Sequence, residues 1–441
     1  MADVRYVLLG VSCVVAACAG GPRPTAVTPA EIPTLQTQAR QQPGNARVRF
    51  RLAAALLAAG RCDTAVVVAR AGQLVAPADP LGPLVVGGCQ EQDGRFDLAY
   101  ATYTDFAARH PQARGVAAVR ARAHFALRAQ AEQTARQAFA SEATLTAQPP
   151  EPSTLAVLPV TIAGDSGLQP LSRGLAELMT SDLALIRTLR LLERVQIGAL
   201  LDELKLGRTE AADPGTAARV GRLLRAERMV QGVAAITEGG PVRLSASVVR
   251  GDGTVRSGAQ ANGTFKQLLD LEKQLVFSLA AQLGIQLTEA ERQRILRQGT
   301  KNLAAFLAYS EGLEAMDRGD YGAAATAFGA AVRADPGFQA AQQQQEAAAA
   351  APVVQQSSAG EVVTVVQAVE RVTAPVEPAT AGALDATNRE TSPAVGDVTD
   401  NITEPTNTGT DATLRNLSAD SRGISTLTQA STTLKIIFVR P

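Results

Sequence analysis

Few side chains in this 441-residue chain could do chemistry: four cysteines, two histidines, and scattered serines and carboxylates. A metal site needs several cysteine, histidine or carboxylate ligands at close spacing. The two histidines, His110 and His124, do not stand at ligand spacing from a cysteine. The sequence also contains no glycine-rich loop followed by a lysine that would bind a phosphate. It therefore predicts no metal site and no cofactor.

The hydroxyl and carboxylate side chains of the central segment do not form a catalytic set. Three serines there have no histidine in their own segment to act as a base: Ser166, Ser172 and Ser181. Asp165 follows a predicted strand, where α/β sheets bind ligands, but capping a helix or making a turn is the commoner role. Glu177 and Asp182 are interpreted as a solvated helix face. We therefore predict no catalytic residue and expect the chain not to be an enzyme.

The first residues predict export from the cytoplasm. Arg5 precedes an apolar run that is too short to span a bilayer and ends in small residues. This arrangement predicts a secretion signal over residues 1–17. Its ending, Val15-Ala16-Ala17-Cys18, resembles the lipobox of bacterial lipoproteins. The resemblance implies that Cys18 carries the lipid and that the chain lies at the periplasmic face of the outer membrane. An ordinary signal peptide or a buried helix is the alternative.

Composition excludes some classes of function. Lysine plus arginine and aspartate plus glutamate are equal at 42 each, which argues against nucleic-acid binding. Tryptophan is absent and aromatic residues make up 4%, so the core must be built from small aliphatic side chains on closely packed helices. No later stretch approaches eighteen uninterrupted apolar residues, so the lipid would be the only membrane anchor.

Two helical segments are predicted around a central domain. Residues 18–42 are rich in Pro, Thr and Gln and predict a tether. Over residues 43–146 a helical pattern repeats every 34 residues or so, the spacing of tetratricopeptide (TPR) repeats, with Gly60 and Gly94 at the same turn. Residues 303–350 form a further TPR-like unit. Such helix pairs present grooves that bind other proteins.

The repeat pattern gives a geometric reason to pair the two remaining cysteines. Cys62 falls early in the second helix of one pair, and Cys89 falls late in the first helix of the next. These helices stack antiparallel, and the predicted compartment is oxidising. We therefore predict a disulfide between Cys62 and Cys89. Two buried free thiols are the alternative.

Residues 153–298 change from a helical to an α/β pattern. Leu155–Val160 is a short apolar run typical of a buried strand, and a helix with an apolar face follows from Leu171. Further on, Val242, Leu244, Ala246 and Val248 alternate with polar residues, as in an antiparallel strand with one wet face. The fold class is therefore α/β plus all-α: a mixed-sheet α/β sandwich flanked by helical repeats.

The last segment, residues 352–441, is rich in Thr, Ala, Asp and Pro without periodicity and is predicted to be mostly disordered. Only Leu434–Val439 stands out there, as a strand-like end. It is a segment that would suit addition to the sheet edge of a neighbour.

Three motifs of the α/β segment resemble the CsgG-like and TolB-N-terminal-like domains of bacterial envelope proteins. They are Leu155-Ala-Val-Leu-Pro-Val160, Leu171-Ser-Arg-Gly-Leu-Ala-Glu177, and Gly221-Arg-Leu-Leu-Arg-Ala226 followed by Val230-Gln-Gly232. The resemblance implies a non-enzymatic envelope role in assembly, secretion or scaffolding. A pore is not expected, because the hairpin strands are of borderline length, carry arginines and lack an aromatic girdle.

Two functions follow from these observations. The first is a lipid-anchored periplasmic scaffold or adaptor that binds envelope proteins through its TPR grooves, with the lipid on Cys18 as its membrane contact. Self-association through the hairpin edge or the closing helix is a further possible contact. The second is a ligand-sensing or hydrolytic α/β domain regulated by the repeats. A concave polar pocket at the strand ends would favour the second.

Overall fold

The computed structural model describes residues 26–164, 166–206, 213–236, 240–358 and 361–373. The signal over 1–17, Cys18, Asp165 and the strand-like segment Leu434–Val439 lie outside these residues. Within them, no helix combines the length and the apolarity needed to cross a membrane.

The N-terminal helical unit consists of antiparallel helix pairs closed by one long helix. Its helices are α1 (Ile32–Gln41), α2 (Ala46–Ala58), α3 (Cys62–Gln73), α4 (Leu81–Gln92), α5 (Phe96–Arg109), α6 (Val116–Ala140) and α7 (Glu142–Thr146). The predicted turn positions Gly60 and Gly94 have φ of +69° and +70°, a left-handed conformation that glycine adopts without a Cβ penalty.

The prediction that residues 18–42 form a tether is wrong for residues 26–42, which belong to the folded N-terminal helical unit. Helix α1 packs on α2, and three side chains of this stretch are buried: Val27, Ile32 and Leu35. Ile32 and Leu35 are three residues apart, so both lie on one face of the helix and cover the end of the repeat stack. The domain therefore begins within the segment predicted as tether.

The central sheet is mixed. Its strands are β1 (Glu151–Val157), β2 (Thr161–Gly164), β3 (Arg190–Leu191), β4 (Ala226–Ile236), β5 (Pro241–Arg250) and β6 (Val255–Thr264). The strand order is β3-β1-β4-β5-β6, and β2 pairs with the far end of β4. Pairings among β1, β2, β3 and β4 are parallel, whereas β4–β5 and β5–β6 are antiparallel. The predicted mixed α/β architecture is confirmed.

Helices cover both faces of this sheet. They are α8 (Leu171–Leu183), α9 (Arg194–Glu203), α10 (Pro214–Leu223), α11 (Leu268–Gln282) and α12 (Glu289–Arg297). Helices α8 and α11 share one core with the buried side of β5, and α9 and α10 share the other core with Met229 and Val249. The predicted alternation in β5 is observed, since Val242, Leu244 and Ala246 are buried.

The C-terminal helical unit extends beyond the predicted boundary. Its helices are α13 (Leu303–Arg318), α14 (Tyr321–Ala334), α15 (Gln339–Gln355) and α16 (Val362–Thr373). The prediction that the chain is mostly disordered from residue 352 onward is therefore wrong for the described residues between 352 and 373, most of which are helical. Four valines of α16 are buried at helical spacing: Val362, Val365, Val366 and Val369.

The helical units and the α/β domain pack on one another. Helix α6 contacts both α9 and α15, and α8 contacts α13. Helix α16 lies against α2, α4 and α6, which are the first helices of the N-terminal pairs. Helices α15 and α16 of the same chain therefore cover part of the N-terminal helical surface that was predicted to bind a partner protein.

Candidate functional site

The predicted cysteine pair lies between the first two helix pairs. Cys62 begins α3 and Cys89 lies in α4, and a disulfide joins them with Cα atoms 5.4 Å apart. The bridge closes a sequence separation of 27 residues. By loop-closure entropy such a bridge stabilises the folded state by about 3–4 kcal/mol. Its role is to hold the helix pairs together.

A charged junction lies where the α/β domain meets both helical units. Arg194 begins α9 and directs its guanidinium at Asp317 of α13, with Nη1–Oδ2 and Nη2–Oδ1 distances of 2.6 and 3.1 Å. Its Nε donates to Glu177 of α8 over 3.1 Å. Arg173, also on α8, donates to the same Asp317 carboxylate. The four side chains join α8 and α9 of the α/β domain to Asp317 of α13, which lies 123 residues after Arg194 in the chain.

The junction remains ionised across the neutral range. Burial alone would lower the pKa of Arg194, but the charges of Asp317 and Glu177 raise it overall. Burial alone would raise the pKa of Asp317, but Arg194 and Arg173 lower it overall. A bidentate guanidinium–carboxylate pair in a largely dry site has the geometry that lets attraction offset desolvation.

His124 of α6 faces this junction. Burial, reinforced by the charge of Arg128, lowers the pKa of His124 to about 4. Its Nε2 atom is buried and has no hydrogen-bond partner among the described residues, and its ring packs edge-on to Tyr321. His124 is therefore neutral at physiological pH. Its spacing in the sequence did not indicate this position beside the junction.

Two cavities meet at the Arg194–Asp317 pair, with volumes of about 330 and 530 Å³. Both are lined by His124, Arg194, Val195 and Asp317. Arg194 comes shortly after β3, so the cavities lie at the carboxyl end of that parallel strand, where α/β sheets bind ligands. The smaller cavity is lined by equal numbers of positive and negative side chains. The four arginines are Arg128, Arg136, Arg173 and Arg194, and the four carboxylates are Glu132, Asp202, Glu203 and Asp317.

The lining of the smaller cavity does not select an ion of either sign. No serine or cysteine is among the described residues that line the two cavities, and the hydroxyl groups of the larger cavity belong to Tyr100 and Thr104. No group of three or more metal-ligating side chains occurs in the described ranges. The cavities suit a neutral or zwitterionic polar molecule, or water.

A second charged cluster is buried between α8 and α11. Asp182 and Glu272 are both fully buried, and Lys273 places its Nζ against Asp182 and 3.7 Å from Glu272. Burial raises the pKa of Asp182 to about 6 despite the charge of Lys273. Burial and the neighbouring charge of Asp182 raise the pKa of Glu272 well above its usual range. The cluster has one cation for two carboxyl groups.

The interpretation of Glu177 and Asp182 as a solvated face is wrong. Asp182 is fully buried and Glu177 is paired with Arg194. The sequence contained a signal for the burial of Asp182, because this residue stands four residues after Leu178 and three after Met179, on the apolar face of α8. The partner of Asp182 is Lys273, 91 residues away, and the partner of Glu177 is Arg194, 17 residues away on the next helix. No periodicity in the sequence indicates either pairing.

Comparison with known families places part of this junction in a recognised domain. Residues 102–238 match the family described as curli production assembly/transport component CsgG. The match begins in α5 and ends after β4, and it covers less than a third of the chain. It includes His124, Glu177 and Arg194 but not Asp317. No curated protein matches this chain.

Proposed function

We propose that this protein is a lipid-anchored scaffold that binds other envelope proteins during assembly or secretion at the periplasmic face of the outer membrane. The observation that carries the proposal is the similarity of residues 102–238 to CsgG, a production assembly/transport component. The signal-like start and the lipobox-like ending at Cys18 support the anchor. The protein works by binding and not by catalysis, and its repeats are of the TPR type.

The junction geometry supports a binding role. Arg194, Asp317 and Glu177 are engaged with one another in the folded chain. An ion-pair network that ties three helices together is suited to holding a shape, because moving any one helix would leave a partly buried charge unpaired. The C-terminal helical unit is thereby held at a set orientation to the α/β domain, as a scaffold requires.

The anchor and the compartment are tested by fractionating cells that make the full chain. We expect wild-type protein in the outer-membrane fraction, resistant to salt and released by detergent. Cys18→Ser should move it to the soluble periplasmic fraction. Cys13→Ser is the matched control, since it changes a cysteine of the same segment that should be removed with the signal. Unchanged membrane association of Cys18→Ser, or a cytoplasmic location for wild type, would contradict the proposal.

The scaffold role is tested by chemical cross-linking in intact cells followed by capture on a C-terminal tag. The same envelope proteins should be enriched repeatedly with the wild-type chain and depleted with Cys18→Ser, because the soluble variant is displaced from the membrane surface. An equal profile for both would show that anchoring does not determine the partners.

The ligand-sensing alternative rests on the two cavities at the carboxyl end of β3. A small polar ligand bound there would raise the unfolding temperature of the wild-type protein. The variant His124→Ala should lose that shift while remaining folded. A screen of polar metabolites by thermal shift, with His110→Ala as the matched control, decides between the two functions.

A further inference from the structure

Helix α16 occupies the surface formed by the first helices of the N-terminal pairs. Two of its buried valines, Val362 and Val365, border a groove, here called the α16 groove, which is also lined by Leu57 of α2, Leu84 and Gly88 of α4, and Arg122 of α6. Val366 and Val369 are buried in the same core. The groove continues to Gly115, where a Cβ would come within 2.6 Å of Val366 Cγ1. The helix therefore docks closely at one end of the groove.

The contacts follow the pattern of an amphipathic helix bound in a groove. Val362, Val365, Val366 and Val369 stand at i, i+3, i+4 and i+7, the spacing by which helical peptides anchor in such surfaces. Polar contacts fix the direction of the helix. Glu370 lies 3.3 Å from Arg114, and Ser357, just before the helix, accepts from Arg122 over 3.5 Å.

The fit is incomplete at the other end of the groove. A cavity of about 260 Å³ remains there, bounded by Leu57, Leu84, Gly88, Val362 and Val365. Val362 and Val365 border this cavity without filling it, and valine, being β-branched, does not favour helix formation strongly. A leucine at the position of Val362 would have room to extend into the empty space.

Helix α16 is short and is held mainly by apolar contacts with α15, α2, α4 and α6. It has 12 residues, and helices of that length are marginal in water without tertiary contacts. Its ion pair with Arg114 is exposed, because the arginine side chain is 90% accessible. A short polar connection, Gln356–Glu361, joins it to α15. To leave the groove, the helix must also separate from α15, on which it packs.

We propose that α16 is a resident, exchangeable occupant of a helix-binding groove. The groove's partner is an amphipathic helix of another envelope protein with apolar residues at the α16 spacing. That helix carries a larger side chain at the position of Val362 and an acidic residue at the position of Glu370. This proposal rests on the proposed scaffold function, since it names the surface by which the scaffold takes hold of its partner. Release of α16 precedes partner binding.

The test uses a fluorescent peptide of residues 356–373 and the purified full chain. Val369→Asp puts a charge at a fully buried anchor and should free the groove. Val372→Asp is the matched control, because Val372 is 53% exposed. The peptide should bind the Val369→Asp chain at least tenfold more tightly than wild type or Val372→Asp, since tethered α16 competes at high effective concentration. A peptide with Val362→Leu should bind more tightly still.

Other results would overturn the proposal. Equal binding to all three chains would place the peptide site elsewhere, and absence of binding to Val369→Asp would mean that the groove does not accept a free helix. Concentration-dependent dimerisation of wild type that Val369→Asp abolishes would make a second copy of α16 the occupant, in place of a partner protein.

A second measurement covers the case in which Val369→Asp fails to fold. Hydrogen exchange of the wild-type chain should show α16 opening at a lower free energy than α4, because only a local separation is needed. Equal protection of α4 and α16 would overturn exchangeability. Both assays use purified components, so their failure leaves the membrane fractionation result untouched, and failure of fractionation leaves the groove result standing.

Discussion

Arg194 and Asp317 are 123 residues apart in sequence and form a bidentate ion pair that joins α9 of the α/β domain to α13 of the C-terminal helical unit. Arg173 and Glu177 complete the network from α8. Since α6 packs on α9 and carries His124 to the same place, the pair lies at the point where all three parts of the described chain meet.

The first prediction concerns this pair. Asp317→Asn removes one partner and leaves Arg194 with a buried, undercompensated charge, so we expect a loss of about 3–5 kcal/mol in unfolding free energy. The double change Arg194→Met with Asp317→Leu should cost much less, because neither charge is then buried. Denaturant unfolding of the single and double variants measures the difference.

Glu314 and Arg318 supply the control for that experiment. They form an i, i+4 pair on α13 in which the arginine side chain is 60% exposed. Arg318→Met should therefore change stability by no more than about 0.5 kcal/mol. A cost for Asp317→Asn as small as that would contradict the assignment of the Arg194 pair as the structural junction.

The disulfide gives the second prediction. Non-reducing peptide mapping of mature protein should recover Cys62 linked to Cys89. The double variant Cys62→Ser with Cys89→Ser should unfold at a lower denaturant concentration, by about 3–4 kcal/mol in free energy. A reductant should destabilise the wild type but leave the double variant unchanged. Sensitivity of the double variant to reductant would point to other thiols.

The third prediction is a pH dependence set by Glu272. Its pKa is raised in the folded state, so the folded chain holds a proton that the unfolded chain releases above about 4.5. The stabilising contribution is complete below that pH and is lost as pH rises toward the folded pKa. Glu272→Gln should remove this loss and make the protein more stable than the wild type at pH 8.

Thermal unfolding of Glu272→Gln between pH 5 and 8 tests this sign. Glu289→Gln is the matched control, because Glu289 is exposed. It should leave the pH dependence of the unfolding temperature the same as in the wild type. A profile for Glu272→Gln that still declines toward pH 8 as steeply as wild type would show that Glu272 is ionised in the folded state.

The fourth prediction concerns His124. Its folded pKa of about 4 lies below the ordinary value of 6.5, so the unfolded chain takes up a proton in this window that the folded chain does not. Stability should therefore fall as pH drops from 6.5 to 4. With two histidines in the chain, a ¹H–¹³C NMR titration resolves both rings, and His110→Gln assigns them. A His124 resonance titrating near 6.5 would contradict the buried position.

The sequence by itself determined most of the local structure. The alternation in β5, the apolar stripe of α8 and the glycines at the helix turns are short-range patterns, and they predicted the corresponding elements because 2-residue and 3.6-residue periods reflect which face is buried. The helical register also placed Cys62 and Cys89 close enough in space to bond. Motifs of the α/β segment indicated its resemblance to CsgG, which the match over 102–238 supports.

Only the tertiary structure decided which surfaces remain open and which charges are paired. The valines of α16 stand at helical spacing within a segment predicted to be disordered, and the structure decides which helices, α2, α4, α6 and α15, cover them. Asp182, Glu272 and Asp317 resemble solvated helix charges until a neighbouring element removes the water around them. Both outcomes depend on contacts between segments more than 90 residues apart, as between Asp182 and Lys273 or Arg194 and Asp317, and the local sequence does not indicate which distant segment supplies the partner.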